Sequence, residues 1–458
     1  MFEIDTTNGP VLKKMLLFAV PLMFSSVLQL LFNAADIVVI GRFAGDNSLA
    51  AVGSTGSLIN LMTNMFIGLS VGASVLVSRY FGSKNSRAVH KTVHTAMLLS
   101  VISGLLLTVV GVTCAESILR LMKSPPEVLP LATTYMKVYF FGITPMLIYN
   151  FGASILRAVG DTKRPLFYLM LSGAVNVLFN LLFVIVFKMD VAGVALATAI
   201  SQCLAAYLVV RCLMNETSSI KLELRKLHIY PDVLAGILRI GLPAGFQGVV
   251  FALSNVVIQS SVNLFGKTVI AGNSAAQNIE GFVYVSMNAF HQAAVTFVSQ
   301  NYGAGKVKRI NKITITALVC VSVAGTFLGL LAYIFGESLL SIYSDSQEVI
   351  AAGMNRLSVI VVTYALCGIM DVMVGALRGI GYSVMPMIVS MIGACGLRLL
   401  WIATVFQIDE FHTTEVVYLS YPISWIITFL THVVCYIIVK RKVDRKYIRS
   451  VSCDPELT

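Results

Sequence analysis

The sequence predicts an all-α membrane protein whose twelve transmembrane helices form two related six-helix halves. Hydrophobic residues make up 57% of the 458-residue chain, charged residues make up 12%, and the mean hydropathy is +0.84. Soluble domains carry roughly 25% charged residues, so this composition excludes a soluble globular protein. The second observation is a series of apolar runs of membrane-spanning length, and the third is an internal repeat that joins the two halves.

Apolar runs long enough to cross a bilayer recur along the whole chain, and a span needs about 20 such residues. Nine runs without Asp, Glu, Lys or Arg are residues 15–35, 47–78, 92–115, 165–187, 191–210, 240–266, 281–305, 313–336 and 416–439. Three more, interrupted by isolated charges, are 128–156, 349–377 and 382–406. A membrane barrel would instead show short segments of alternating polarity, which these runs lack.

The connections between these spans alternate in charge. Basic connections, such as the one with Arg79, Lys84 and Arg87, alternate with acidic ones, such as that with Glu116 and Glu127. Because basic loops stay in the cytoplasm, the pattern predicts a multi-pass protein of the cell membrane with both termini cytoplasmic. The net charge of +11 thus reflects topology, and we expect the bilayer, but no nucleic acid, as a partner. A monomer is predicted.

An internal repeat relates the two halves. Residues 155–160 (ILRAVG) match 376–381 (ALRGIG), and residues 116–119 match 337–340, both at an offset of 221. The repeat predicts an N-terminal six-helix lobe at 1–214, a cytoplasmic linker at 215–235, and a C-terminal lobe with a short basic tail at 236–458. Parallel repeats of this kind are typical of transporters that move substrate by alternating access.

A duplicated membrane enzyme, or a scaffold that transports nothing, would show the same repeat. The sequence has no cluster of His, Cys or carboxylate residues with catalytic or metal-binding spacing, which counts against an enzyme. We therefore predict that the protein is not an enzyme and has no resident cofactor or metal site.

Asp36 places one carboxylate inside an otherwise apolar span. Such a group costs roughly 2.5–3.5 kcal/mol at the bilayer centre on insertion scales, and usually marks an ion or proton path. The alternative is that Asp36 caps a helix end or pairs with Arg42, six residues later. The span also contains Pro21, which is expected to kink or break the helix.

Oxygen-bearing side chains in the first half are candidates to complete a coupling-ion site. Asn176 and Asn180 lie one helical turn apart and so share a face, and Thr198 lies in the next span. With Asp36 they form an all-oxygen set that suits a hard cation such as Na⁺. Equally, a carboxyl held away from water can carry a proton. Interhelical hydrogen bonding alone would also explain the two asparagines.

The two halves carry their acids at different positions. Asp36 aligns with Ile258, and Asp371 aligns with Asn150. Asp371 is therefore predicted as a second acid, which faces a substrate cleft. Further candidates for the substrate cleft are Gln29, Asn33, Gln247 and Asn255.

These motifs together resemble those of the multidrug and toxic compound extrusion (MATE) transporters. The resemblance covers residues 10–445, and it is carried by Pro21, 33–36 (NAAD), 157–162 (RAVGDT), 241–245 (GLPAG) and 370–371 (MD) followed by 376–379 (ALRG). It implies two six-helix lobes around a central cleft, and export of organic, often cationic, drugs in exchange for Na⁺ or H⁺. It places Asp36 and Asp371 at the family's acidic positions. Where many prokaryotic members have a second aspartate, this chain has Asn180.

The predicted function is a secondary active antiporter for small amphipathic, cationic molecules, with Na⁺ or H⁺ as the coupling ion. A flippase for a lipid-linked precursor is the alternative, which a basic interior would favour. The sequence predicts that the interior charges are acidic apart from Arg398.

Overall fold

The computed structural model describes residues 4–122 and 125–453, and the regular structure of those residues is entirely helical. The outer ends of the two predicted lobes, residues 1–3 and 454–458, lie outside the described residues. The helices of the first half are α1 Val11–Phe43, α2 Asp46–Gly82, α3 Ser86–Leu121, α4 Leu129–Phe141, α5 Ile143–Ala158, α6 Lys163–Leu181 and α7 Asp190–Met214.

The second half repeats this order. Its helices are α8 Pro231–Val262, α9 Lys267–Gly303, α10 Val307–Ile334, α11 Gly336–Leu340, α12 Gln347–Ile360, α13 Ala365–Ile380, α14 Val384–Ser390, α15 Leu397–Ala403 and α16 Thr414–Cys453. Two π-helical segments interrupt these helices, Leu182–Val186 after α6 and Met391–Gly396 between α14 and α15.

The predicted membrane architecture is confirmed. Among the described residues, nine helices are long and apolar enough to cross a bilayer, and α4 with α5 forms a tenth span that bends by 44°. The remaining two spans of the predicted twelve are α9 and the pair α12–α13. These contain the buried charges Glu280, Arg356 and Arg378, which lower their hydropathy.

The outer surface of α10 shows how the chain faces lipid. Ile315, Val319, Val323 and Phe327 are 56–65% exposed, and they follow one another at four-residue spacing. Residues at this spacing form one stripe along a helix. In water such a stripe would be a costly exposed apolar surface, whereas in a bilayer it is the expected lipid contact.

The chain forms two compact units that exchange parts of two helices. Unit 1 contains residues 4 and 24–245, and unit 2 contains residues 5–23 and 246–453. The chain thus changes unit within α1 and within α8, in each case two residues after a proline, Pro21 or Pro243. Neither proline ends its helix. The predicted linker, residues 215–235, belongs to unit 1 and includes the start of α8.

Close backbone contact holds the first part of α8 in unit 1. A Cβ atom on Gly68 would lie 2.3 Å from the main-chain nitrogen of Gly245, and one on Gly72 would lie 2.3 Å from the carbonyl oxygen of Ile237. Gly68 and Gly72 in α2 therefore meet Gly241 and Gly245 in α8 as paired glycines four residues apart. Small residues at this spacing let membrane helices approach closely, because lipid gives them no hydrophobic reason to associate.

Candidate functional site

Asp36 lies in the part of α1 that belongs to unit 1, where it is half-buried against α6 and α7. The side-chain amide of Asn180 donates to Asp36 Oδ1, and Thr198 also forms a hydrogen bond with the carboxylate. These contacts replace the ion pair with Arg42 that the sequence left open, so that alternative is wrong. The partners of this carboxylate are neutral groups.

The four predicted coupling-ion residues lie together. Asn176 Nδ2 donates to Thr198 Oγ1 over 3.3 Å, and Asn180 Nδ2 donates to Asn176 Oδ1 over 3.3 Å. Asn180 is fully buried, and its Oδ1 has no hydrogen-bond partner. A buried carbonyl oxygen without a donor is costly, and it is a good ligand for a cation or for a proton carrier. The ion-binding role of these residues stays a prediction.

Two tyrosines in α4 complete this site, and the sequence analysis missed them. Tyr135 and Tyr139 lie within electrostatic reach of Asp36, and their ring centroids are 5.8 Å apart. Both belong to, or pack against, the apolar core of unit 1. Their four-residue spacing on an otherwise apolar span was the available signal.

Two buried polar residues lie next to π-helical segments. One segment follows Asn180 and the other precedes Arg398. Leu182–Val186 begins two residues after Asn180, and Met391–Gly396 ends two residues before Arg398. A π-helical turn inserts one residue, so it rotates the side chains that flank it relative to a regular helix. Such segments occur often at functional sites.

Asp371 lies in α13 and is half-buried inside unit 2. The hydroxyl of Tyr284 donates to its carboxylate, and His291 Nδ1 donates to its main-chain oxygen over 2.6 Å. Two guanidinium groups, those of Arg378 and Arg398, are within electrostatic reach of this carboxylate. Its surroundings therefore differ from those of Asp36, which has no cation beside it among the residues that the structure describes.

A second buried acid of unit 2, Glu280, forms an ion pair with Arg356. Arg356 Nε and Nη2 donate to the two carboxylate oxygens of Glu280, both over 2.8 Å, and Arg356 Nη1 donates to Asn273 Oδ1 over 2.8 Å. Both partners are at most 5% exposed. This bidentate geometry satisfies both charges, so the pair has a structural role.

Arg378 and Arg398 are also buried, at 6% and 3% exposure. Arg378 Nη2 donates to Gln247 Oε1 over 2.8 Å, while Arg398 Nε donates to Ser424 Oγ over 2.8 Å. The guanidinium of Arg398 lies 4.2 Å from the centroid of the Tyr421 ring, a cation–π contact. With Arg356 they make three buried arginines, so the prediction of an interior that is acidic apart from Arg398 is wrong.

The four predicted cleft residues have different surroundings. Gln29 and Asn33 are exposed on the unit 1 part of α1, and Asn255 is exposed on the unit 2 part of α8. Gln247 is buried, and its side-chain oxygen accepts a hydrogen bond from Arg378. It therefore supports the arginine rather than lining an open surface of unit 2.

Comparison with known proteins gives the family. The MatE family model matches residues 21–182 and 243–403, which are more than half of the chain. "Probable multidrug resistance protein YoeA" of Bacillus subtilis is 26% identical over 91% of this chain and 92% of that protein. A protein named "FAD transporter" in Shewanella oneidensis is 23% identical over 95% of both chains.

The fold agrees with the same family. The structure of a MOP superfamily transporter from Pyrococcus furiosus superposes with a TM-score of 0.90 at 20% identity, covering 96% of this chain and 98% of that one. Identity this low shows the fold alone, whereas the family model matches both halves of the sequence. The chain therefore belongs to the multidrug and toxic compound extrusion (MATE) family of membrane transporters.

Proposed function

We propose that the protein is a secondary active antiporter that exports organic small molecules in exchange for Na⁺ or H⁺ by alternating access. The observation that carries this proposal is the Asp36 carboxylate, whose partners in the described part of the chain are the neutral side chains of Asn180 and Thr198. An unneutralised acid at membrane depth is costly, and that cost falls when a proton or a cation binds. Asp36 is thus the coupling-ion residue of the proposal.

The neighbours of Asp36 suit either coupling ion. A hard cation would take oxygen ligands from Asp36, Asn176, Asn180 and Thr198, and the unpartnered Oδ1 of Asn180 is available for it. A proton would sit on the carboxyl and be shared with the same oxygens. The proposal therefore requires that one of two imposed gradients, sodium or proton, drives export.

We infer that the cargo is an amphipathic organic molecule, with cationic drugs as the predicted class. The name of one relative, "Probable multidrug resistance protein YoeA", supports an organic cargo. We further propose a monomer in the cell membrane, with both termini in the cytoplasm, as the alternation of basic and acidic connections predicts.

The test is efflux of ethidium from proteoliposomes under separately imposed sodium and proton gradients. We expect one gradient to drive efflux by the parent protein, and Asp36→Asn to abolish that dependence. Asp232→Asn, an exposed acid at the start of α8, is the matched control and is expected to behave as the parent. Efflux that depends on neither gradient would remove the antiport proposal. Normal coupling in Asp36→Asn would remove the site.

The buried arginines of unit 2 favour a second candidate, a flippase for a lipid-linked precursor. Phosphate groups of such a precursor would need cationic partners, and Arg378 and Arg398 are cations inside the membrane-spanning part of the chain. This candidate predicts translocation of a phosphate-linked lipid across vesicles that show no gradient-driven ethidium efflux. That pair of results would select it over the antiporter.

A further inference from the structure

The buried charges of unit 2 do not balance. Among its described residues, the interior of α9, α12, α13 and α15 contains the acids Glu280 and Asp371 and the arginines Arg356, Arg378 and Arg398. Glu280 and Arg356 neutralise each other in their bidentate pair. Asp371 has the two other guanidinium groups within electrostatic reach, so one positive charge of this set remains without an acid.

Two buried nitrogen atoms, one on Arg378 and one on a histidine within its electrostatic reach, lack hydrogen-bond partners among the described residues. They are Arg378 Nε and His432 Nδ1, on side chains that are 6% and 0% exposed. The other ring nitrogen of His432 lies 3.1 Å from Ser390 Oγ, and the histidine is within electrostatic reach of Arg378. Arg378 Nε always carries a hydrogen, and leaving such a buried donor unpaired costs about 1–3 kcal/mol. This atom therefore indicates a site for a group that accepts hydrogen bonds.

The members of this cluster differ in exposure. Asp371 and Tyr284 are both half-buried, whereas Arg378, Arg398 and Gln247 behind them are almost fully covered. A group that enters beside Asp371 would therefore meet the guanidinium groups in a place with little water. Charge-assisted hydrogen bonds are strong in such surroundings.

We propose that unit 2 binds the carboxylate of an amphipathic organic cargo at Arg378 and Arg398. The incoming carboxylate takes the hydrogen bond that Arg378 Nε offers, and it supplies the negative charge that Asp371 alone does not. Asp371 competes with the cargo for the same two guanidinium groups, while Gln247 holds Arg378 in place. This inference rests on the proposed exporter function, and it extends the predicted cargo to molecules that carry an anionic group.

The test compares two dyes that share one cationic ring system, rhodamine B, which has a carboxylate, and its ethyl ester, which does not. Binding to the purified full-length protein in detergent is followed by fluorescence anisotropy. Because one charge-assisted contact separates the dyes, we expect the parent protein to bind rhodamine B roughly tenfold more tightly than the ester.

Three variants separate the charge effect from a structural one. Arg378→Gln is expected to abolish the preference for the acid and leave ester binding unchanged, and Asp371→Asn is expected to increase the preference several-fold. Arg378→Lys keeps the charge, so it is expected to retain part of the preference, and it serves if Arg378→Gln does not fold. Arg120→Gln changes an exposed arginine of α3 and is the control.

The proposal is overturned if the parent binds both dyes equally, or if Arg378→Gln weakens both by the same factor. Displacement of rhodamine B by benzoate supports a carboxylate cargo, whereas displacement by lysophosphatidic acid and not by benzoate would assign the site to a lipid phosphate and overturn the carboxylate assignment. No gradient is imposed in this assay. Its failure leaves coupling at Asp36 intact, and failure of gradient-driven efflux leaves the dye result intact.

Discussion

Unit 1 and unit 2 contain the same order of helices but surround their acids differently. In unit 1, the partners of Asp36 among the described residues are neutral. In unit 2, Asp371 has Arg378 and Arg398 within electrostatic reach, and Glu280 forms an ion pair with Arg356. The acid in unit 1 therefore has no positive charge to neutralise it, whereas the buried arginines of unit 2 outnumber its buried acids.

The difference shows where a duplicated scaffold can change. The position equivalent to Asp36 in the second half is Ile258, which is buried, and the position equivalent to Asp371 is Asn150, whose side-chain amide donates to Met146 O in its own helix. The apolar positions that pack the helices can therefore stay similar in the two halves, while single polar substitutions give each unit a different polar group.

The largest effect on stability is expected where a buried arginine loses the acid that neutralises it. Glu280→Gln leaves Arg356 buried without a counter-charge, and we expect a loss of about 3–5 kcal/mol in unfolding free energy. The measurement is reversible unfolding of the purified protein by titration with SDS in mixed micelles.

The matched control removes both charges of that pair. Because no isolated charge remains, the double variant Glu280→Leu with Arg356→Leu is expected to recover most of the stability lost in Glu280→Gln. A double variant less stable than the single one would mean that the pair organises unit 2 beyond neutralising its own charge.

A smaller effect is expected at the helix contact that closes unit 1. Gly72→Ala places a Cβ about 2.3 Å from the carbonyl oxygen of Ile237, so α2 and α8 must separate, at a cost of about 1–3 kcal/mol. Unit 2 already has Ala293, fully buried, at the equivalent position of α9. The same SDS titration measures the loss, and Gly56→Ala on the same helix, where a Cβ meets open space, is the control. Equal effects of the two substitutions would rule out close packing at Gly72.

The fold could be predicted because its signals are local. Each span is an uninterrupted apolar run, and the shared offset of 221 between the halves needs no knowledge of contacts. The exchange of helix segments between units could not be predicted in this way, since one continuous helix gives no sign that its two parts pack in different units. The sequence shows the glycine pairs at 68 and 72 and at 241 and 245, but it does not show that the two pairs contact each other.

The two candidate sites were predictable to different degrees. Asp36, Asn176, Asn180 and Thr198 could be grouped because spacing placed the asparagines on one face of a neighbouring span. Arg378 could not be assigned to the interior, because it lies two residues before the end of α13 and resembles a basic residue of a loop. Burial of a charge depends on distant contacts, here with Gln247 and Asp371, that a sequence pattern does not contain.

The smallest effects come from the same change made in each unit, and they separate the two acids most directly. Asp36→Asn leaves no orphaned cation, and its side-chain oxygen can still accept from Asn180, so we expect a stability change within about 1 kcal/mol. Asp371→Asn leaves Arg378 and Arg398 without their shared carboxylate, so it is expected to lower the thermal midpoint in detergent. Because a bound carboxylate replaces the missing charge, rhodamine B should restore that midpoint in Asp371→Asn and leave Asp36→Asn unchanged. If both variants lose the same stability and neither responds to the dye, the two acids have equivalent surroundings and the contrast between the units fails.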